Sequence, residues 1–197
     1  DGNDFAPIVP DLVRRDWPAI RFVFPHAPVR AVTINGGARM RAWYDIRDVD
    51  LANRADHEGV AESVAQVDAL IAREAARGIP PERMLLAGFS QGGAITLAAG
   101  IARAQPLGGL IALSTYLPMG VEQARATLQP AAKTQPVFMG HGVFDPVVPA
   151  AGGEAAARAL RDFGFEVQWR RYPMQHSVCA EEIHDLGDWM AARFAAG

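Results

Sequence analysis

Short apolar segments alternate with longer helical patterns along most of this chain. The runs Met84–Ala87 and Leu110–Leu113 contain only apolar residues, which is typical of strands buried on both faces of a sheet. Between them, Ala94–Ala104 is rich in alanine and predicts a helix. Strands that alternate with helices in this way form a parallel sheet covered by helices on both faces. We therefore expect an α/β protein.

Further segments extend this alternation. Apolar residues between His57 and Arg77 recur every three or four positions, which predicts an amphipathic helix, and Gly78 is suited to end it. The run Val167–Tyr172 is more polar than the other strands and predicts an edge position. The remaining expected strands are Ile20–Phe24 and Pro136–Gly140, and the remaining expected helices are Val121–Leu128, Gly153–Phe163 and Glu181–Phe194.

The composition narrows the class of function. A length of 197 residues fits a single domain, residues 1–197. The net charge of -3 argues against a nucleic-acid partner, because such surfaces need clustered positive charge. No apolar run approaches the roughly 18 residues of a membrane-spanning helix, so we expect no transmembrane segment. The single cysteine, Cys179, excludes an internal disulfide and favours a reducing compartment, the cytoplasm.

A G-x-S-x-G motif, Gly88–Gly92, lies between an expected strand and an expected helix. In that context the motif is the nucleophile elbow of the α/β-hydrolase fold, where a strained turn presents the serine above the sheet. Side chains at Gly88 and Gly92 would clash with neighbouring backbone, which explains both glycines. The sequence therefore predicts Ser90 as a nucleophile.

A serine hydroxyl needs a neighbouring base, and in this fold the acid and then the histidine follow the serine in the chain. His176 lies in a loop between the last strand and the last helix, so we expect it to be the base. His141 directly follows a strand, and we expect it to hold a turn by hydrogen bonding. His184 lies on the polar side of the last helix, where a surface position is expected.

Asp145 is the best candidate for the acid that orients His176. It lies in the loop after the strand Pro136–Gly140, at the carboxyl end of the sheet. The competing acids are Asp162, which falls inside a helix, and Glu166, which begins a strand. We therefore expect Asp145 to accept the imidazole N–H and to stabilise the imidazolium.

With these residues in place, the chain resembles the phospholipase/carboxylesterase family, which includes acyl-protein thioesterases and small bacterial carboxylesterases. The resemblance runs nearly from end to end. Its segments are Asp1–Phe5, Phe24–Pro28, Thr33–Gly37, Arg41–Asp45, Ala87–Ala94, Ala112–Ser114, His141–Gly142, Asp145–Pro149 and His176–Val178.

This resemblance implies an α/β-hydrolase fold and hydrolysis of carboxylic esters or thioesters by a Ser–Asp–His triad, without metal or cofactor. The substrate would be a small-molecule ester or a lipid. The oligomeric state is open, with a homodimer as the alternative to a monomer. In the family, one oxyanion donor is a backbone N–H of a His-Gly-Leu-Gly type segment before the position of Asp1, and the other is the N–H of the residue after the nucleophile, here Gln91. We therefore expect an N-terminal strand and an oxyanion loop to precede Asp1 in a longer protein.

The resemblance also suggests which residues line the substrate pocket. In the family, the segment Thr33–Asp45 forms a cover near the acyl group, and a second wall follows the strand that ends at Leu113. The expected wall residues are Met40, Trp43, Tyr44, Tyr116, Leu117 and Val148.

We expect a serine carboxylesterase that acts on short- to medium-chain acyl esters. One alternative is an acyl-protein thioesterase or lysophospholipase with a site for long acyl chains. A dienelactone hydrolase is disfavoured, because that family carries cysteine at the position of Ser90. The alternative outside enzymology is a catalytically silent α/β-hydrolase scaffold that binds a ligand or partner.

Overall fold

The computed structural model describes residues 1–195, apart from the side chains of residues 52 and 53. In chain order its strands are β1 (Val29–Val32), β2 (Ala38–Arg41), β3 (Leu85–Phe89), β4 (Gly109–Leu113), β5 (Val137–Gly142) and β6 (Val167–Tyr172). The first two strands form an antiparallel hairpin. The other four form a parallel sheet in the order β3-β4-β5-β6.

Helices cover both faces of the parallel sheet. They are α1 (Val9–Leu12), α2 (Leu51–Arg54), α3 (His57–Ala76), α4 (Gln91–Ile101), α5 (Val121–Thr127), α6 (Ala150–Asp162) and α7 (Ala180–Ala195). The expected α/β-hydrolase architecture is therefore confirmed. Over residues 1–195, no helix combines the length and the apolar character that crossing a bilayer requires.

Alternate residues of β4 face opposite sides of the sheet, and both sides are buried. Leu110 and Ala112 belong to the larger core, which contains residues of α3, α4 and α6. Ile111 and Leu113 pack with α1 and α7 on the other face. Burial on both faces explains why this strand is apolar throughout.

Most expected elements are confirmed with small shifts of their ends. Helix α3 ends at Ala76, and Gly78 follows it with a φ of 94°, a left-handed conformation that glycine adopts at little cost. Helix α4 begins at Gln91 and ends at Ile101, earlier at both ends than the alanine-rich run predicts. Strand β6 has the expected bounds and lies at the edge of the described sheet.

The expected strand Ile20–Phe24 is wrong. These residues belong to no strand and pair with no strand in residues 1–195. A run of apolar and aromatic residues becomes a strand only where a neighbour accepts and donates its backbone hydrogen bonds. Here the rings of Phe22 and Phe24 stack on each other instead, with their centroids 6.0 Å apart.

The carboxyl ends of the four parallel strands lie along one edge of the sheet. Ser90 follows β3 directly, and Thr115 lies just beyond β4. The loop with Asp145 follows β5, and the loop with His176 follows β6. Residues far apart in the chain are thereby brought to one edge, as expected for a parallel sheet.

Candidate active site

The turn at Ser90 is strained. Ser90 has φ 54° and ψ -118°, a backbone region that residues with side chains rarely adopt. Its N–H donates to the carbonyl oxygen of Leu113 at 2.9 Å. Its carbonyl oxygen accepts from the hydroxyl of Thr115 at 2.7 Å and from the N–H of Ala94 at 3.0 Å. The strand and the helix on either side of Ser90 therefore hold this conformation in place.

The glycines around Ser90 have different reasons to be there. A Cβ at Gly88 would lie 2.1 Å from the backbone of Gly92, and one at Gly93 would lie 2.7 Å from Thr115. A Cβ at Gly92 would meet nothing closer than the indole nitrogen of Trp43 at 3.8 Å. The expected backbone clash is therefore confirmed at Gly88 and is wrong at Gly92.

This difference predicts a large loss of stability for one alanine variant and a small loss for the other. Gly88→Ala should destabilise the fold by about 3 kcal/mol or more, because β3 and α4 must separate to admit the methyl group. Gly92→Ala should cost less than about 0.5 kcal/mol, since the methyl group would make only an ordinary van der Waals contact with Trp43 and alanine favours helices. Thermal unfolding checks both predictions. The melting temperature of Gly88→Ala should be lower than that of wild type by roughly 6–12 °C. Equal melting temperatures for the two variants would contradict this account of the turn.

Three side chains converge above the sheet edge. The ring nitrogen Nε2 of His176 lies 3.0 Å from Oγ of Ser90, and Nδ1 lies 2.7 Å from Oδ2 of Asp145. A carboxylate oxygen can only accept, so Nδ1–H donates to Asp145 and leaves Nε2 to accept the serine proton. The structure thus brings together Ser90, His176 and Asp145 in the geometry of a nucleophile, a base and an orienting acid.

The carboxylate of Asp145 is buried, with none of its side chain exposed. Its Oδ1 accepts the backbone N–H groups of Val147 and Val148, both at 2.8 Å. Residues 145–148 therefore form a turn that orients this carboxylate, and we call these four residues the acid turn. Because the backbone satisfies Oδ1, Oδ2 remains directed at His176.

Backbone contacts tie the loop of the acid to the loop of the histidine. Val143 N–H donates to the carbonyl of Tyr172 at 2.9 Å, and Phe144 N–H donates to that of Met174 at 3.1 Å. A Cβ at Gly142 would lie 2.4 Å from the Met174 oxygen, so only glycine permits this approach. The ring of Phe89 packs on His176 with the centroids 4.7 Å apart.

The residues weighed against His176 and Asp145 lie elsewhere. His141 is buried, and its Nε2–H donates to the carbonyl oxygen of Val148 at 2.9 Å, which confirms the expected turn-holding bond. Burial also lowers the pKa of His141, which favours the neutral ring. Asp162 ends α6, Glu166 precedes β6, and His184 has 72% of its side chain exposed.

The residues that could share a cation lie apart from these three side chains. In the described part of the chain they are His184, Asp185 and Asp188, of which His184 and Asp188 are exposed on α7. A further acid, Glu182, is fully buried on the same helix, and a Cβ at Gly140 would clash with its Oε1 at 2.1 Å. Burial, with the charge of Asp185 second, raises the pKa of Glu182 to about 8, so Glu182 is largely neutral at pH 7.

Gln91 connects the serine turn to the backbone at Trp43 and Tyr44. Its N–H is the first of helix α4 and has no acceptor within the helix. Its side-chain oxygen accepts the N–H of Trp43 at 3.1 Å, and its side-chain nitrogen donates to the carbonyl of Tyr44 at 2.9 Å. The chain at Trp43 is therefore fixed beside the start of α4.

Of the six expected wall residues, three are half-buried or exposed and three are buried in the core. Trp43 is half-buried near the start of α4, and it also lines a cavity of about 400 Å³ with Pro25 and His26. Leu117 is half-buried against the core, and Met40 is exposed on the hairpin. The other three are buried in the core: Tyr44 and Tyr116, whose hydroxyls are 2.7 Å apart, and Val148.

Sequence reasoning missed four residues that shape this site. Thr115 holds the serine turn, Gly142 lets two loops approach, and Phe89 packs on the histidine. Arg54 donates to the acid turn through the carbonyl oxygen of Val147 at 3.0 Å. Gly142 carried a signal, since a glycine in a strand often marks a close approach of another backbone segment. Arg54 carried none, because its partner in the acid turn, the carbonyl oxygen of Val147, is 93 positions away in the sequence.

Comparisons with known proteins identify similar sequences and similar structures. The sequence model of the Phospholipase/Carboxylesterase family matches residues 12–193. Acyl-protein thioesterase 1 of Gibberella zeae is 39% identical over 193 residues, which cover 94% of this chain and 82% of that protein. The crystal structure of Arabidopsis thaliana SOBER1 superposes with a TM-score of 0.82 at 34% identity, covering 87% of this chain and 82% of that one. Zea mays acyl-protein thioesterase 2 superposes with a TM-score of 0.77 at 28% identity, covering 87% and 80%.

Proposed function

The chain belongs to the phospholipase/carboxylesterase family and is a hydrolase of the esterase or thioesterase type, and from that premise we propose that it cleaves short- to medium-chain acyl esters. In this proposal Ser90 is the nucleophile, His176 is the general base and Asp145 orients the histidine. The observation that carries the proposal is the continuous chain of hydrogen bonds from Ser90 through His176 to Asp145, with contacts of 3.0 and 2.7 Å.

The reaction begins when Oγ of Ser90 attacks the carbonyl carbon of the ester. His176 Nε2 takes the serine proton as the new C–O bond forms, and Asp145 stabilises the resulting imidazolium. The tetrahedral intermediate then expels the leaving alcohol, which takes that proton from His176. Water attacks the acyl-serine with His176 as base, and the acid and Ser90 are released.

The N–H of Gln91 acts as one donor to the oxyanion. It lies next to the nucleophile at the start of α4, where the helix dipole also favours negative charge. The side chain of Gln91 supports this role indirectly, because its two hydrogen bonds to Trp43 and Tyr44 restrain the residue. An oxyanion donor works best when it is already in position before the charge develops.

The preference for short to medium acyl chains rests on the burial of three residues that were expected to line the pocket. Tyr44 and Tyr116 are buried, joined by their hydroxyls, and packed in the core. Val148 is likewise buried in the core. We therefore reassign Tyr44, Tyr116 and Val148 from pocket walls to supports behind them. Trp43 remains our candidate wall residue.

A panel of p-nitrophenyl esters tests this preference. We expect kcat/KM to be highest for butyrate or hexanoate and to fall by about 10-fold or more for palmitate, because each poorly accommodated part of the chain loses binding energy. Trp43→Ala should shift the optimum to longer acyl chains. The control is Met40→Ala, which removes an exposed side chain on the hairpin and should leave the profile unchanged. A wild-type optimum at palmitate would refute the preference while leaving the esterase assignment intact.

The second candidate is a long-chain acyl-protein thioesterase. It is favoured by the name of the relative from Gibberella zeae, which is similar over most of both chains. The exposed side chains of Phe144 and Val147, next to Asp145, would suit a long apolar substrate at the rim. Faster turnover of a palmitoyl thioester than of a butyryl thioester would select this candidate.

The remaining expectations stay predictions. The substrate we propose is a small-molecule ester or lipid, and the alternative of a silent scaffold is set aside because the comparisons show a hydrolase. A cytoplasmic location rests on the single cysteine alone. Gel filtration with light scattering would distinguish a monomer from a homodimer.

A further inference from the structure

Arg54 is a buried arginine in contact with two separate parts of the site. Only 9% of the residue is exposed, and a buried charge persists only where polar partners replace water. The guanidinium donates to the carbonyl oxygens of Val147 at 3.0 Å and Val49 at 3.1 Å, and it makes a longer contact of 3.4 Å with that of Asp48. It also lies over the ring of Tyr116, 5.6 Å from its centroid.

The backbone holds Arg54 at the base of a closed loop. Ile46 and Ala55 form an isolated antiparallel bridge, and the N–H of Arg47 donates to the carbonyl of Arg54 at 2.9 Å. The loop between them includes α2 and the exposed side chain of Val49. We call residues 46–55 the Arg54 loop. From the base of this loop, Arg54 reaches both the loop's own carbonyls and the acid turn.

The acid turn is held from two sides. On one side, Nε2–H of His141 donates to the carbonyl oxygen of Val148 at 2.9 Å. On the other, the guanidinium of Arg54 donates to the carbonyl oxygen of Val147. The N–H groups of these same two valines donate to Oδ1 of Asp145. The carbonyl of Val147, which Arg54 binds, and the N–H of Val148, which donates to Asp145, belong to one planar peptide unit. A rotation of that unit would therefore move a donor to the carboxylate that orients His176.

We propose that Arg54 is a positioning residue of this hydrolase. Its guanidinium joins the Arg54 loop to the acid turn and so keeps Asp145 aligned with His176. This rests on the proposed function, since it requires that Asp145 act through His176. The planar guanidinium donates in several fixed directions at once, which the single ammonium of lysine does not. Arg54 touches no reacting atom and acts only through the acid turn.

The test compares Arg54→Met and Arg54→Lys with Arg125→Met. Arg125 is a matched control, because its guanidinium also lies over a buried aromatic ring, that of Phe163 at 4.8 Å, but on the exposed face of α5. Turnover of p-nitrophenyl acetate is measured per active site, counted by titration with a fluorophosphonate, so that misfolded protein does not contribute.

We expect Arg54→Met to lower kcat per titrated site by about 10- to 10²-fold with KM changed less than threefold. Arg54→Lys should recover part of this loss, and Arg125→Met should show none. In an Asp145→Asn background, Arg54→Met should have almost no further effect, because the two changes act on the same step. The inference is overturned if kcat per site is unchanged in Arg54→Met, or if the loss is the same in the Asp145→Asn background.

Failure of this inference is distinct from failure of the proposed function. If wild type does not hydrolyse the ester, or if Ser90→Ala hydrolyses it equally well, the proposed function is refuted. If wild type is active, Ser90→Ala is inactive and Arg54→Met matches wild type, the triad stands and the role of Arg54 alone is refuted.

Discussion

Ser90→Ala should lower kcat for p-nitrophenyl butyrate by about 10⁶-fold. The variant removes the atom that attacks the substrate, so no acyl-enzyme can form, and the remaining donors can only polarise the carbonyl. The fold should survive, because the backbone of Ser90 holds the turn without the serine hydroxyl: its N–H donates to Leu113 and its carbonyl oxygen accepts from the hydroxyl of Thr115.

The control for this prediction is Ser177→Ala. Ser177 is exposed and directly follows His176, so its loss tests whether any serine near the imidazole matters. Both variants should match wild type in circular dichroism and melting temperature, and only Ser90→Ala should lose turnover. Retention of more than about 1% of the wild-type kcat in pure Ser90→Ala would rule out Ser90 as the nucleophile.

Asp145→Asn should lower kcat by about 10⁴-fold while preserving the shape of the site. The asparagine oxygen can still accept from Val147 and Val148, as Oδ1 does now. Its NH₂ group then faces His176, and because it donates, the ring must place its own proton on Nε2. In that tautomer His176 donates to Ser90 and can no longer take the serine proton.

Asp162→Asn is the matched control for the acid. Asp162 is the other aspartate considered for this role from the sequence, and it is exposed at the end of α6. It should retain wild-type kcat and KM. Comparable losses in the two variants would show that the effect is one of charge or stability and not of the hydrogen bond to His176.

The sequence predicted the fold and the candidate triad because both depend on local pattern. Apolar runs such as Leu110–Leu113 indicate burial on both sheet faces, and Gly88 and Gly93 beside Ser90 indicate a tight turn. Chain order then restricted the base to histidines after Ser90, and a loop position singled out His176. These signals lie within a few residues of the feature they predict.

The failures have the opposite character. Ile20–Phe24 has the composition of a strand, but a strand needs a partner that composition does not reveal. Tyr44 and Tyr116 were expected to line the pocket, whereas a hydroxyl contact across 72 positions of sequence holds them in the core. Arg54 binds carbonyl oxygens as far away as Val147. Such contacts between distant segments appear only once the chain is folded.

Covalent labelling with a fluorophosphonate, read out by mass spectrometry, tests the central claim most directly. An activated serine should take up a single phosphonyl group within minutes at neutral pH, and the modified peptide should contain residue 90. Labelling should become far slower in His176→Ala, where the base is absent. Protein that stays unmodified, or that carries the label on another residue, would contradict the assignment of Ser90, His176 and Asp145.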